Sequence, residues 1–214
     1  MATMFEPKSL MDGVIAGDEA NVKEMVQAAL NQGVPAGKIL SGSLIAAMDI
    51  VGERMENGDM FIPEVLMAAR SMASGVEILK PHLSEEEASA KGKVIIGTVK
   101  GDLHDIGKNL VAMMIESAGL EVHNLGVDIA PDEFVQQVKE KQADLICLSA
   151  LLTTTMPMMK ATVDALVAAG LRENTRVMVG GAPVTKDFAD DIGADGYAPD
   201  AGSAAKMARS FFDA

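Results

Sequence analysis

Val94-Ile95-Ile96-Gly97-Thr98-Val99-Lys100-Gly101-Asp102-Leu103-His104-Asp105-Ile106-Gly107 is the stretch that decides the fold. It opens with a short β-branched run, which suits a buried strand. The run ends at Gly101, and a helical pattern follows over roughly Ile106–Ala118, closed by Gly119. The same alternation continues to the end of the chain. Glu121–Leu125, Leu145–Ser149, Arg176–Val179 and Gly196–Ala198 read as strands. Pro131–Lys141, Met156–Ala169, a stretch near 185–192 and a last segment to Phe212 read as helices. Strands alternating with helices predict a parallel sheet covered on both faces. Right-handed crossovers make it doubly wound, here with five strands in a flavodoxin-like (Rossmann-like) order.

Upstream of this stretch the period changes. Val22, Met25, Val26, Ala29 and Leu30 form one helical stripe, with Asp18 as N-cap and Gly33 then Pro35 as its end. Leu44, Met48, Val51 and Met55 form a second, broken at Gly58-Asp59. Pro63 sits where a first helical turn tolerates it, before Val65, Ala69, Met72, Val76 and Leu79. With a short helix near residues 8–16, this is a four-helix bundle. The polar stretch Ser84–Gly92 carries no apolar stripe and reads as a linker. The expected organisation is therefore a helical cap over 1–83, a linker over 84–92 and an α/β domain over 93–214.

Composition narrows the function classes. Net charge is −13, which disfavours binding to nucleic-acid phosphates or to an anionic membrane. No apolar run approaches the roughly 20 residues that span a bilayer. A single Cys excludes an intramolecular disulfide and fits a reducing, cytoplasmic setting. Aromatics are scarce and Met numbers sixteen, so Met does packing work that rings often do.

In open α/β sheets ligands bind beyond the carboxyl ends of strands, where strand order reverses. His104 follows the first strand, Ser149 ends the third and Gly180-Gly181 ends the fourth, so all fall on one rim. Alone, His104 reads more readily as a loop histidine with a satisfied hydrogen bond than as a ligand. Asp102, two residues earlier, could fix its tautomer, as carboxylates behind metal-bound histidines do. Gly101 and Gly107 flank the loop and permit close backbone approach, though glycines also make ordinary turns. Ser149-Ala150-Leu151-Leu152-Thr153-Thr154-Thr155 is either helix capping or a wall of donors and acceptors for a polar ligand. No phosphate-binding glycine motif follows the first strand.

Asp102-x-His104-x-x-Gly107, Ser149-x-Leu151 and Gly180-Gly181, in that order, resemble the cobalamin-binding signature of methionine synthase, the corrinoid mutases and the small corrinoid proteins of methyl-transfer systems. Met60-Phe61-Ile62-Pro63-Glu64-Val65 through Arg70 resembles the helical cap that precedes the cobalamin domain in methionine synthase and the methyl carriers. The resemblance implies a corrinoid whose cobalt is ligated from below by His104, with the Gly101-Asp102-Leu103-His104-Asp105-Ile106-Gly107 segment against it. It implies that the cofactor's displaced base lies in a slot lined by Ser149, Leu151, Thr153, Gly180 and Gly181, with Ala201 as a further tail contact. Phe61 would shield the upper, methyl-bearing face. Asp102 would bond to His104, with Thr155 completing the relay where methionine synthase has a serine. The implied function is a carrier that accepts a methyl group as Co(I) from a substrate-specific methyltransferase. It would donate that group as methyl-Co(III) to a second methyltransferase using tetrahydrofolate or coenzyme M. A reductive-activation protein is a further implied partner.

Other readings are weaker on the residues. A phosphorylation receiver needs an acceptor Asp where Ser149 stands. A flavin module lacks aromatic residues for stacking. A zinc site lacks ligand spacing, since Cys147 lies in an apolar strand and His123 on a strand's solvent face. A cobalamin-dependent sensor would add a basic DNA-binding domain, and a mutase subunit would lack the cap.

Overall fold

The computed structural model describes residues 5–84 and 91–212. They form two compact units, one helical and one α/β, dividing near residue 90.

The helical unit contains α1 (Pro7–Ile15), α2 (Glu19–Asn31), a helix running through α3 (Ala36–Ile39) and α4 (Ala46–Glu56), and α5 (Ile62–Leu79). Asp18 caps α2, its carboxylate accepting from the Asn21 amide at 3.1 Å. Glu64 accepts from the Phe61 amide at 2.8 Å and so closes the start of α5. The third segment starts eight residues earlier than the Leu44 stripe suggests, because α3 and α4 are joined by a π-turn over Leu40–Ile45. Five residues in an α-helix turn about 140° beyond a full circle. The wider π-turn keeps Ile39 and Leu44, five apart, on the same buried side, ahead of Ala47, Met48 and Val51. Gly37, Ser41, Gly42 and Ser43 are poor helix formers, which hides this segment from propensity. Tertiary packing holds it instead.

The α/β unit contains β1 (Lys93–Thr98), α6 (Ile106–Ser117), β2 (Glu121–Asn124), α7 (Pro131–Lys141), β3 (Leu145–Ser149), α8 (Pro157–Ala168), β4 (Arg176–Gly180), α9 (Lys186–Asp191), β5 (Gly196–Tyr197) and α10 (Ala201–Ser210). The sheet is wholly parallel with order β2-β1-β3-β4-β5. β1 and β3 are buried on both faces, as crossover helices require. Ile95, Ile146, Leu148, Val177 and Val179 pack with Phe134, Met159, Val163 and Leu166 in one core. A Cβ on Gly97 would lie 2.8 Å from the Phe134 ring, so a missing side chain in β1 makes room for one of the few aromatics. Cys147 is buried in β3, and burial pushes its thiol well above the ordinary range. His123 is half-buried on β2 against Glu121 at 2.9 Å.

Of the linker expected at 84–92, residues 85–90 lie outside the described residues. Among the described residues no helix is long and apolar enough to cross a membrane.

Candidate functional site

β1 and β3 are adjacent, and their following connections run to opposite faces, so the strand order reverses between them. A crevice is expected at their carboxyl ends, and Asp102 sits there. The chain reaches it through a tight turn. The Asp102 amide donates to Val99 O at 3.1 Å, and Gly101 takes φ +84 at the third position, where a type II turn demands positive φ.

Asp102 is fully buried and joins the two loops. Its Oδ1 accepts from the His104 backbone amide at 3.1 Å and contacts His104 Nδ1 at 2.7 Å. Its Oδ2 accepts from the Leu151 amide at 2.7 Å, the Leu152 amide at 3.3 Å and Thr155 Oγ1 at 3.0 Å. Burial alone raises a carboxyl's pKa. Here the bonds from Leu151, His104 and Thr155 outweigh it and hold Asp102 far below the usual carboxylate range. An ionised carboxylate only accepts, so Nδ1 of His104 must carry the proton between them. The imidazole is 52 % exposed, and Nε2 keeps its lone pair without a partner among the described residues. Thr98 Oγ1 donates to His104 O at 2.8 Å and pins the loop from below.

Thr155 carries a methyl that a serine would lack. The hydroxyl reaches Asp102, with Leu152 O as an alternative acceptor at 2.9 Å, and the methyl faces Gly101, where an added Cβ would stand 3.5 Å from it. Of the two readings of the hydroxyl-rich exit from β3, helix capping does not hold. Met156 is the N-cap of α8 and receives no side-chain bond. The Ser149 and Thr153 hydroxyls have no hydrogen-bond partner among the described residues, and Thr153 is exposed. Gly180 and Gly181 lie at the end of β4. A Cβ on Gly181, at φ +132, would be 1.9 Å from Ala150 O, and one on Gly180 would be 3.0 Å from Ala198 O. Neighbouring backbone thus requires glycine at 181 and crowds any side chain at 180. Ala201 is buried as the first residue of α10, after its N-cap Asp200. Phe61 belongs to the helical unit, where it precedes α5 and is 68 % exposed.

Leu103, Ile106, Leu151 and Leu152 are between 41 % and 77 % exposed, an unusual concentration of apolar side chains on the two loops that Asp102 joins. Asp105 and Gly107 are exposed beside them. Asp128 and Lys108 were not legible as site residues. Asp128 accepts from the Gly101 amide at 2.7 Å, and Lys108 is buried with its Nζ on Asn109 and Asn124. Burial lowers the pKa of Lys108, with Asp105 partly opposing it. Gly126-Val127-Asp128 signals a loop in sequence, but not which loop it grips.

Among the described residues no cluster of three or more His, Cys, Asp or Glu could hold a bare metal ion. One imidazole with a free Nε2 fits a metal whose other ligands come with it, and the surrounding apolar side chains fit a broad organic ring. Fold and site therefore define a doubly wound domain that carries one carboxylate-backed, solvent-accessible imidazole on its ligand-binding rim.

The comparisons make this specific. Two family models, both described as B12 binding domain, match residues 8–80 and 92–206. A dimethylamine corrinoid protein of Methanosarcina acetivorans is 49 % identical over 80 % of this chain and 81 % of its own length. A corrinoid protein of Desulfitobacterium hafniense is 40 % identical over 93 % and 94 %. The crystal structure of a cobalamin-binding protein from Desulfitobacterium hafniense superposes with TM-score 0.84 at 32 % identity, covering 96 % of this chain and 98 % of that one. A chain of the methanol:cobalamin methyltransferase complex of Methanosarcina barkeri superposes with TM-score 0.81 at 30 % identity, covering 95 % and 78 %. The chain belongs to the family of B12-binding corrinoid proteins.

Proposed function

We propose that this chain carries a methyl group on the cobalt of a bound corrinoid, with His104 Nε2 as the protein's ligand to the metal. The observation that carries this is the Asp102 junction, which holds the His104 proton on Nδ1 and leaves Nε2 as a lone pair. When bound, the corrinoid supplies a cobalt centre that takes a methyl group from one partner and yields it to another.

The chain's own residues govern the imidazole. A ligating nitrogen must be unprotonated, so His104 would hold the metal through its Nε2 lone pair with its proton kept on Nδ1. Asp102, ionised and 2.7 Å from Nδ1, would hold that tautomer. Thr155 donates to the far carboxylate oxygen and keeps that charge satisfied. Ser149, Leu151, Thr153, Gly180, Gly181 and Ala201 are proposed to line the slot for the cofactor's displaced base, where the free Ser149 and Thr153 hydroxyls supply polar contacts. Gly101, Leu103, Asp105, Ile106 and Gly107 are proposed to contact the cofactor.

The proposed partners are a substrate-specific methyltransferase as donor, an acceptor methyltransferase and a reductive-activation protein. Relatives named for dimethylamine and a structural relative from a methanol system support a small methylated donor. The single buried thiol suits the cytoplasm. The test is the absorption spectrum of the His104→Ala variant loaded with methylcobalamin. We expect a spectrum lacking the histidine ligand; a spectrum identical to the parent's would overturn the assignment.

A further inference from the structure

The loop after β2, residues 125–129, grips the His104 loop from outside. Asp128 Oδ1 accepts from the Gly101 amide at 2.7 Å, and the Asp128 amide donates to Asp102 O at 3.1 Å. One residue thus brackets the backbone that leads into and out of the Asp102 Cα. Asp128 does so at φ 59, a left-handed conformation uncommon outside glycine, opposite Gly101 at φ +84. Such a conformation is strained and persists only where the surroundings over-determine it.

The surroundings do over-determine it. The Thr98 amide donates to Gly126 O and the Ile129 amide to Thr98 O, both at 3.0 Å. Asn124 Oδ1 accepts from the Gly126 amide at 3.1 Å and from the buried Lys108 Nζ at 2.5 Å. The loop is therefore fastened to β1, to the start of the His104 segment at Gly101-Asp102 and to the start of α6 at Lys108.

We propose that Asp128 is a positioning residue for His104, acting through Asp102. The Asp102 carboxylate is anchored on one side by the Leu151 amide and Thr155. Its backbone is anchored on the other by Asp128. Releasing the backbone lets Asp102 settle toward the β3 loop and lengthens the 2.7 Å contact to Nδ1. An imidazole without that acceptor divides its proton between both nitrogens, and the form with hydrogen on Nε2 presents no lone pair. The meaning for the cofactor rests on His104 being its ligand, but the positioning itself does not.

The experiment reads the His104 tautomer by nitrogen-15 NMR on the full chain without cofactor, at a pH where the imidazole is neutral. Asp128→Gly keeps the left-handed backbone and removes only the acceptor. We expect the ratio of Nδ1–H to Nε2–H to fall about fivefold, because the charge-assisted bond to Nδ1 is weakened rather than lost. Asp128→Asn keeps an acceptor and tolerates the same φ, so it retains the parent ratio. An unchanged ratio in Asp128→Gly overturns the proposal. If that variant does not fold, Asp128→Asn decides: a retained ratio supports the acceptor role, and a lost one overturns it. Failure of the parent to retain a corrinoid would count against the proposed function and would leave the tautomer result standing.

Discussion

Two sets of buried hydroxyls separate the halves of this molecule. In the α/β unit, Thr155 is 6 % exposed and its hydroxyl donates to the Asp102 carboxylate. In the helical unit, Ser43 and Ser71 are buried more deeply still, and their Oγ atoms find no hydrogen-bond partner among the described residues. The first hydroxyl belongs to a closed network around one anion. The other two sit in a bundle held by apolar stripes, the π-turn and close helix contacts, such as that of Gly75 with Val22, Val26 and Leu44. Hydrogen bonds with direction and charge fix geometry in one half, whereas packing fixes it in the other. Fixing the direction of the His104 lone pair needs the former, because a lone pair is aimed within a narrow angle.

The contrast can be broken at its strongest point first. Asp102→Ala removes the acceptor of the Leu151 and His104 amides and of Thr155 Oγ1 at once. Urea unfolding should show a loss of about 3–5 kcal/mol, and a loss under about 1 kcal/mol would mean the network carries little.

Acid sharpens the same point. The folded pKa of Asp102 lies below its ordinary 3.8, so its charge contributes stability in full above that value. The contribution is lost as pH falls through 3.8 toward the depressed folded value. Asp102→Asn should therefore be about 1–3 kcal/mol less stable than the parent at neutral pH, with the gap closing below pH about 4 in unfolding curves across pH.

Opposite signs are expected for the two kinds of hydroxyl. Thr155→Val keeps shape and removes one donor to a buried anion, and should lower the thermal midpoint with a loss of about 1–2 kcal/mol. Ser71→Ala removes an unpartnered buried hydroxyl and should be neutral or stabilising by up to about 1 kcal/mol in calorimetry. A destabilising Ser71→Ala would show that the bundle's serines are bonded after all.

Much of this was legible. The period of the apolar residues marks the βα alternation, and Pro131–Lys141 and Leu145–Ser149 fall where their end signals place them. The segment from Ala36 was not legible, since its glycines and serines oppose the helix that packing imposes. The pairing of Asp102 with His104 is local in sequence and could be read from spacing. Asp128 lies 27 residues from Gly101, and nothing local announces that contact.

By itself the sequence determined the order of the βα elements, the rim on which the polar residues fall and the pairing of His104 with Asp102. These depend on short-range chemistry: strand and helix periods, turn residues and a carboxylate two positions from a histidine. Only the tertiary structure decided that Asp102 is held by four further donors, that Thr155 turns its methyl toward Gly101, and that Asp128 braces the loop. Those facts depend on which strands are neighbours, and parallel pairing brings together residues that the chain itself keeps far apart.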